Sequence, residues 1–432
     1  MEAALADIVK WIGLSLGADL EWPIFFEDIL ERLNLRIRRG GDTLSFAVER
    51  VTIEPFDLAQ PVKYDVLLDR LTHWYGTSRE WIKKAVVHDD LYVFNNPFTI
   101  QSMEKHTSYA AMMRLGLPVP ATVLVPPKDY EPAPDLQVTL GQYARFFDLG
   151  EIGRKVGYPL FMKPYDGGAW RGVTRINDEE ALHQAYDQSA KQIMHLQQAI
   201  EPFDLFVRAL AVGPQVNVIR YDPGAPLHDR YKVEFAFVDA EEWRLLSDMV
   251  LTINSFFGWD FNSCEAMRRN GVFHPIDFAN ACPDSQVTSI HYHLPWLVKA
   301  KLRWALFVAG TGRKMRHNPD WAPYFEIAAT DLAYREKLAG YASIARHSFE
   351  TDDFLDFCDT NLADLDEIAW EYFATPRARE AVRRKVAVLF PPHEVEQFTE
   401  HFWGLIQFWR TTERDRLDLA AQAQVSTHAL KP

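Results

Sequence analysis

The chain has 432 residues, enough for several domains with sizeable cores, and its 48% hydrophobic and 25% charged residues are those of a folded globular protein. A net charge of -14 argues against nonspecific nucleic-acid binding, because phosphate contacts need a basic surface; an anionic ligand must find lysines and arginines locally. The three cysteines, Cys264, Cys282 and Cys358, form no C-x-x-C pair, which excludes a disulfide scaffold and a cysteine-based zinc site and fits a reducing cytoplasm. "MEAALADIVKW" carries Glu2 and Asp7 where a leader would be basic, and "WALFVAG" is too short to cross a bilayer, so a cytoplasmic protein without membrane contact is expected.

In chain order, "LADIVKWIG" reads as a helix. "TLSFAVERV" has partial strand alternation and "YDVLLDRL" reads as a buried strand. "TSREWIKKAV" places Thr77 and Glu80 at capping-box spacing, so a helix follows, and "LYVFNNP" is a strand ending at a turn. "TIQSMEKHTSYAAMMRLGLPVP" is a helix stopped by Gly116 and Pro118, followed by the surface loop "PPKDYEPAPD". "YPLFMK" and "GVTRI" are partner strands, and "NDEEALHQAYDQ" opens a helix with Asn177 and Glu180 at cap spacing. "DLFVRALAVGPQVNVIRYD" is a second hairpin, and from about residue 295 the pattern turns helical and rich in Trp and Phe. Four parts are expected: an α/β unit over 1–100, a unit with a glycine loop over 101–195, a unit over 196–295, and a helical extension over 296–432.

"PLFMKPYDGGAWRGV" (159–173) holds the chemistry. It is neither G-x-x-x-x-G-K-[ST] nor G-x-G-x-x-G, because its lysine precedes the glycines and its loop joins two strands. Such a loop can fold over a triphosphate as a flap, its backbone N–H groups meeting the phosphates and Lys163 pointing at them from the strand. An ordinary glycine-rich hairpin loop has the same local spacing. In the second hairpin, a turn centred on Pro214 sets Arg208 opposite Arg220, a repulsive pair that a bound anion would relieve; a shifted register would instead leave both solvated. "GLSLG" fits G-x-S-x-G, but a helix before it is the wrong setting for a nucleophile elbow. "HYH" could put two imidazoles on one face of a strand but has no third ligand nearby, and "HEVEQFTEH" lacks zincin spacing.

The surroundings of the glycine loop resemble the ATP-grasp superfamily, in particular carboxylate–amine ligases such as the glutathione synthetase-like and ribosomal-protein glutamate ligase-like enzymes, over roughly residues 65 to 285. "NNPFTIQSMEKHTSYAAMMRLGLPVPAT" is similar to the helix carrying the first ATP lysine, here Lys105. "GYPLFMKPYDGGAWRGV" is similar to the second lysine strand, Lys163, with the flap of Gly167, Gly168 and Gly172. "LQQAIEPFDLFVRALAVG" is similar to the adenine hinge, Gln198, Ala199 and Ile200, with Asp204 near the ribose. "GWDFNSCEAM" and "HPIDFANACPDS" are similar to the metal-binding end.

The resemblance implies an α/β (α+β) fold of ATP-grasp architecture, with an N-terminal α/β substrate domain and a helical C-terminal extension. It also implies ATP as a bound cosubstrate with Mg²⁺ (Mn²⁺ as an alternative) at Asp260, Asp277 and Asn280, and Arg208 and Arg220 at the reacting groups. Where the family has an acid, one spacer and Asn, this chain has "DFAN": Phe278 takes the usual acid position, and Asp277 would serve through a strand bulge. Oxygen ligands of this kind suit Mg²⁺. The implied activity is ligation of a carboxylic acid to an amine through an acyl phosphate, with small-molecule substrates. A small-molecule kinase on the same fold and a nucleotide-binding regulator without turnover remain open alternatives.

Overall fold

The computed structural model describes residues 7–53, 55–71, 75–99, 105–166, 168, 170–280 and 282–429. The fold is mixed α/β with a helical C-terminal region.

The first unit comprises β1 (Asp7–Ser15), α1 (Glu21–Leu33), β2 (Arg36–Arg39), β3 (Asp42–Arg50), β4 (Val66–Asp69), α2 (Gly76–Asp89) and β5 (Tyr92–Phe94). They form a five-stranded sheet of order β2-β3-β1-β4-β5, in which β1 runs parallel to both β3 and β4. The segment read as a helix is therefore the central strand. A strand covered on both faces loses its alternation, and Ile12 and Leu14 are fully buried, so periodicity alone could not separate it from a helix. Helix α2 forms, but its N-cap is Tyr75 with no side-chain bond, so the Thr77–Glu80 capping box is absent.

The second unit holds α3 (Lys105–Arg114), β6 (Thr122–Val125), α4 (Leu136–Tyr143), α5 (Leu149–Val156), β7 (Leu160–Pro164), β8 (Thr174–Ile176), α6 (Glu179–Ser189) and β9 (Met194–Gln198). Its sheet has the order β6-β9-β7-β8. The expected boundary at 195/196 cuts through β9, whose pairing with β7 and β6 joins it to this sheet. Helix α6 is capped by Asp178, which accepts from the Ala181 N–H at 2.9 Å, one residue after the expected Asn177. Alternation gives this sheet its two faces. Leu160 and Met162 of β7 and Met194 and Leu196 of β9 enter a core with Leu149, Val156 and Leu182, so Lys163 and Gln197 point the other way.

The third unit holds β10 (Leu205–Val212), β11 (Gln215–Arg220), α7 (Ala240–Phe257), β12 (Phe261–Arg269) and β13 (Val272–Asp277), in an antiparallel sheet of order β11-β10-β12-β13. Helix α7 has a full capping box, Asp239 with Glu242, and packs on this sheet. The extension comprises α8 (Val287–Ile290), α9 (Leu294–Thr311), α10 (Ala322–Ala328), α11 (Tyr334–Ser348), α12 (Thr351–Asn361), α13 (Leu365–Tyr372), α14 (Pro376–Leu389) and α15 (Val395–Ala429). Helix α9 is buried along nearly its whole length. The extension shares one core with the first sheet: Phe25 of α1 packs edge-on against Tyr372 and Phe373 at 5.9 and 5.1 Å. The "HYH" string is a short helical turn before α9, in which the buried His291 accepts from the Tyr292 N–H; it is not a strand.

Candidate functional site

The second and third sheets face each other across a cleft that opens to solvent. Lys105, Lys163, Trp170, Gln197, Glu265 and Asp277 are among its lining residues.

Lys163 is carried by β7 on the face opposite its core residues and is only 8% exposed. Its ammonium donates to the Tyr109 hydroxyl at 2.7 Å, to Gln197 Oε1 at 2.8 Å and to the Ile276 carbonyl at 3.3 Å. All three partners are neutral, and burial pushes its pKa down to about 7; Asp277 opposes that shift and Lys105 adds to it. Lys105 opens α3 and reaches Asp277, with both carboxylate oxygens 2.8 Å from its Nζ. Burial alone would raise the Asp277 carboxyl, but Lys105 and then Lys163 outweigh it and hold the pKa below the ordinary value. The two lysines thus reach one cleft from different elements.

Asp277 reaches the cleft through a bulge. Along the β12–β13 hairpin Ala266 faces Pro275, but Glu265 faces Asp277, so Ile276 is an extra residue in β13. Asn280 follows: its backbone N–H donates to Asn262 Oδ1 at 3.0 Å and its side-chain amide to Ser263 Oγ at 2.9 Å. Asn262 also donates to the Phe278 carbonyl at 2.8 Å, which brackets this turn from β12.

Of the other expected site residues, Gly168, Gln198 and Ile200 line the cleft, and Ala199 is buried between the last two. Gly172 has φ +71°, and a Cβ there would stand 2.9 Å from Pro164 Cγ, so the return of the loop onto β7 requires glycine. Gly167 lies outside the described residues. Trp170 lines the cleft half-exposed, its ring edge-on to Phe161 at 6.2 Å.

Three expectations are corrected. Asp260 does not line the cleft: it is buried, accepts from the Tyr92 hydroxyl at 3.0 Å and from Trp304 Nε1 at 3.1 Å, and so ties the first sheet to α9. Burial raises its pKa to about 6. The acid that β12 sends into the cleft is Glu265. Asp204 is exposed and paired with Arg268 at 2.6 Å, outside the cleft lining. Arg208 and Arg220 are not opposite: Val207 faces Arg220 and Arg208 faces Ile219. Val212 faces Gln215, so the turn contains two residues, Gly213 and Pro214, and is not centred on Pro214. That slip of one puts the arginines on opposite faces. Arg220 is surface-exposed and pairs with Glu234. Arg208 is nearly buried, pairs with Glu265, donates to the Tyr231 hydroxyl, and lies over the Tyr221 ring at 4.5 Å.

Sequence reasoning missed Glu265, Gln197 and Tyr109. The signal for Glu265 was present: Asn270–Gly271, with φ of +53° and +76°, is the two-residue turn of a β-hairpin, and counting back from it sets Glu265 beside the end of β13. No sequence pattern marks Tyr109, which becomes relevant only where α3 packs against β7.

Among the described residues, no group of three or more His, Cys, Asp or Glu is placed to hold a metal ion. Glu265, Asp277 and Asn280 are nevertheless an all-oxygen set, two carboxylates directly opposite on neighbouring strands and an amide beyond them, and Mg²⁺ characteristically takes one or two carboxylates and completes its shell with phosphate and water. The residues therefore fit a magnesium ion that arrives with a polyphosphate.

No protein-family model matches the chain, and no curated protein is similar to it. Among solved structures, it is similar to a RimK-domain ATP-grasp protein from Sphaerobacter thermophilus, with 12% identity, 63% of this chain and 92% of that chain covered, and a TM-score of 0.43. It is also similar to a D-alanine–D-alanine ligase from Bacillus anthracis complexed with ATP (13% identity, 80% and 99% covered, TM-score 0.46) and to a D-cycloserine synthetase (12% identity, 68% and 99% covered, TM-score 0.46). Among the described residues, no helix is long and apolar enough to cross a membrane.

Proposed function

We propose that this chain is an ATP-dependent carboxylate–amine ligase of ATP-grasp architecture. The observation that carries this is the convergence of Lys105, Lys163, Glu265 and Asp277 in one cleft between two antiparallel sheets, with Asn280 just beyond Asp277, beside the loop that holds Gly168 and Gly172. Cations there suit phosphate oxygens, and the acids and amide suit the metal that accompanies them.

In this reading Gln198, Ala199 and Ile200 edge the nucleotide base, and Lys163 and Lys105 take phosphate oxygens. Glu265, Asp277 and Asn280 would hold Mg²⁺ or Mn²⁺, which supplies neutralisation of charge on the phosphates. Arg208, held by the lining residue Glu265, would meet the γ-phosphate; Arg220 has no part. The carboxylate oxygen attacks the γ-phosphorus, and the bond to the β-γ bridging oxygen breaks, leaving an acyl phosphate and ADP. The amine then attacks the acyl carbon, loses a proton, and phosphate leaves. The protein aligns the reactants and keeps water out under the glycine loop and Trp170, so no covalent enzyme intermediate is needed. Both organic substrates are small molecules.

An acyl phosphate is electrophilic at carbon, which gives the test. ATP, Mg²⁺ and a panel of amino and dicarboxylic acids, with hydroxylamine in place of the amine, are expected to yield a hydroxamate with ADP and free phosphate. Labelled γ-phosphate appearing on a stable product without hydroxamate would make the protein a kinase. Nucleotide binding without turnover on any acid would make it a regulator.

A further inference from the structure

At the cleft two cations and two acids are already paired with opposite charge, whereas Lys163 meets only neutral groups. Lys105 holds both oxygens of Asp277 at 2.8 Å, and Arg208 holds Glu265. The two acids sit directly opposite each other on β12 and β13, and Lys105, Arg208 and Glu265 are at least seven-eighths buried. Removing one member of such a pair leaves an uncompensated charge in a poorly solvated place, which costs more than the pair itself contributes. Lys163 differs, since Tyr109, Gln197 and the Ile276 carbonyl carry no charge.

These four paired groups are the ones that a metal–polyphosphate complex needs: carboxylates for the cation, cations for the phosphates. A polyphosphate without metal can take Lys105 and Arg208 only by stranding Asp277 and Glu265. A divalent cation without nucleotide can take the acids only by stranding Lys105 and Arg208. Metal and polyphosphate arriving together replace both ion pairs at once and strand nothing.

We propose that the cleft is self-neutralised in the free protein, and that Lys105–Asp277 and Arg208–Glu265 open by exchange of partners, so that the site accepts the metal–nucleotide complex as a unit and discriminates against either component alone. This rests on the nucleotide reading of the cleft above. The charge balance holds at each end: two cation–carboxylate contacts are replaced by cation–phosphate and metal–carboxylate contacts. Lys163, whose three partners carry no charge, can turn to phosphate without stranding an acid.

The exchange makes a prediction that runs against the usual effect of removing a site residue. Asp277→Asn keeps the shape and releases Lys105, and Glu265→Gln releases Arg208. Each substitution is expected to tighten ATP binding measured in excess EDTA by about tenfold while weakening binding in excess Mg²⁺, as expected when one charge of a buried pair is released. The ratio of the two dissociation constants, large in the wild type, falls towards one. From the other side, Lys105→Ala releases Asp277 and is expected to tighten binding of Mn²⁺ alone, read by electron paramagnetic resonance, with circular dichroism confirming the fold. EDTA affinities of Asp277→Asn and Glu265→Gln at or below wild type, in folded proteins that still bind ATP with Mg²⁺, would overturn the exchange and leave the nucleotide reading intact. A wild-type protein that binds no ATP even with Mg²⁺ would overturn both.

Discussion

Lys163 of β7 and Gln197 of β9 meet at 2.8 Å on the cleft face of one sheet, and with Tyr109 they hold a buried ammonium among neutral groups. Such a lysine can be removed without stranding an opposite charge. Lys163→Ala is therefore expected to keep the fold and to weaken binding of a non-hydrolysable ATP analogue by about 2–3 kcal/mol, the worth of a charge-assisted bond to phosphate. Calorimetry reads the affinity and urea denaturation the stability. Unchanged affinity in the folded variant would remove Lys163 from the phosphate site.

Asp260 and Asp277 separate stability from turnover. Asp260 accepts from Tyr92 and Trp304 through one oxygen away from the cleft, and an Asn there can keep that acceptor but gives up the negative charge near Arg313. Asp260→Asn is expected to cost about 1–3 kcal/mol of stability while turnover of the folded fraction stays within about threefold. Asp277→Asn is expected to lower turnover by about a hundredfold or more, since it removes a ligand that acts as charge develops in phosphoryl transfer. Wild-type turnover for Asp277→Asn would exclude it from the site.

How much of this was legible depended on sequence distance. Lys163 and the glycine loop are contiguous, so local spacing exposed them. Lys105 came only from the resemblance of its surrounding string to the family's first-lysine helix, since nothing in its local spacing marks it. The Arg208–Arg220 pair failed for want of one residue: a three-residue turn and a two-residue turn around Pro214 read alike, yet only the first puts Arg220 on the same face as Arg208. Glu265 could be placed near the end of β13 from the Asn270–Gly271 turn, but its pairing with Asp277 could not, because the bulge at Ile276 shifts the register by one. Asp260 sits in a recognisable string, yet of the two acids Glu265 is the one that lines the cleft. The central strand β1 was lost because burial on both sides erases the period that marks a strand.

The two arginines of the β10–β11 hairpin should respond differently. Arg220 and Glu234 form an exposed pair, and such pairs contribute little. Arg220→Ala is expected to change stability by less than about 0.5 kcal/mol and to leave turnover unaltered. Arg208→Ala strands Glu265 in a buried position and is expected to cost about 3 kcal/mol or more and to abolish turnover. Denaturation curves and an ADP-release assay on both variants check this; a stability-neutral Arg208→Ala would mean that Glu265 is not held by it.

Glu21 gives the fold a pH dependence away from the cleft. It lies in the first turn of α1, fully buried, and its Oε1 accepts from the Val287 N–H at 2.6 Å. Its Oε2 has no hydrogen-bond partner among the described residues. Burial pushes the carboxyl from 4.5 up to about 7, against smaller lowering effects of the Val287 N–H and Lys385. Between pH 4.5 and about 7 the unfolded chain therefore releases this proton while the native protein keeps it. The stability that the protonated form contributes is fully present below pH 4.5 and is lost by about pH 7, after which the curve is flat with respect to this group. Glu21→Gln imitates the protonated acid at every pH and keeps an oxygen for Val287. The variant is expected to match the wild type near pH 5 and to exceed it by on the order of 2 kcal/mol at pH 8, the size that a shift of this kind implies. Urea denaturation at the two pH values decides. An equal difference at both would mean that Glu21 does not titrate in this window, and a less stable variant at pH 8 would mean that its carboxylate is held by a charge.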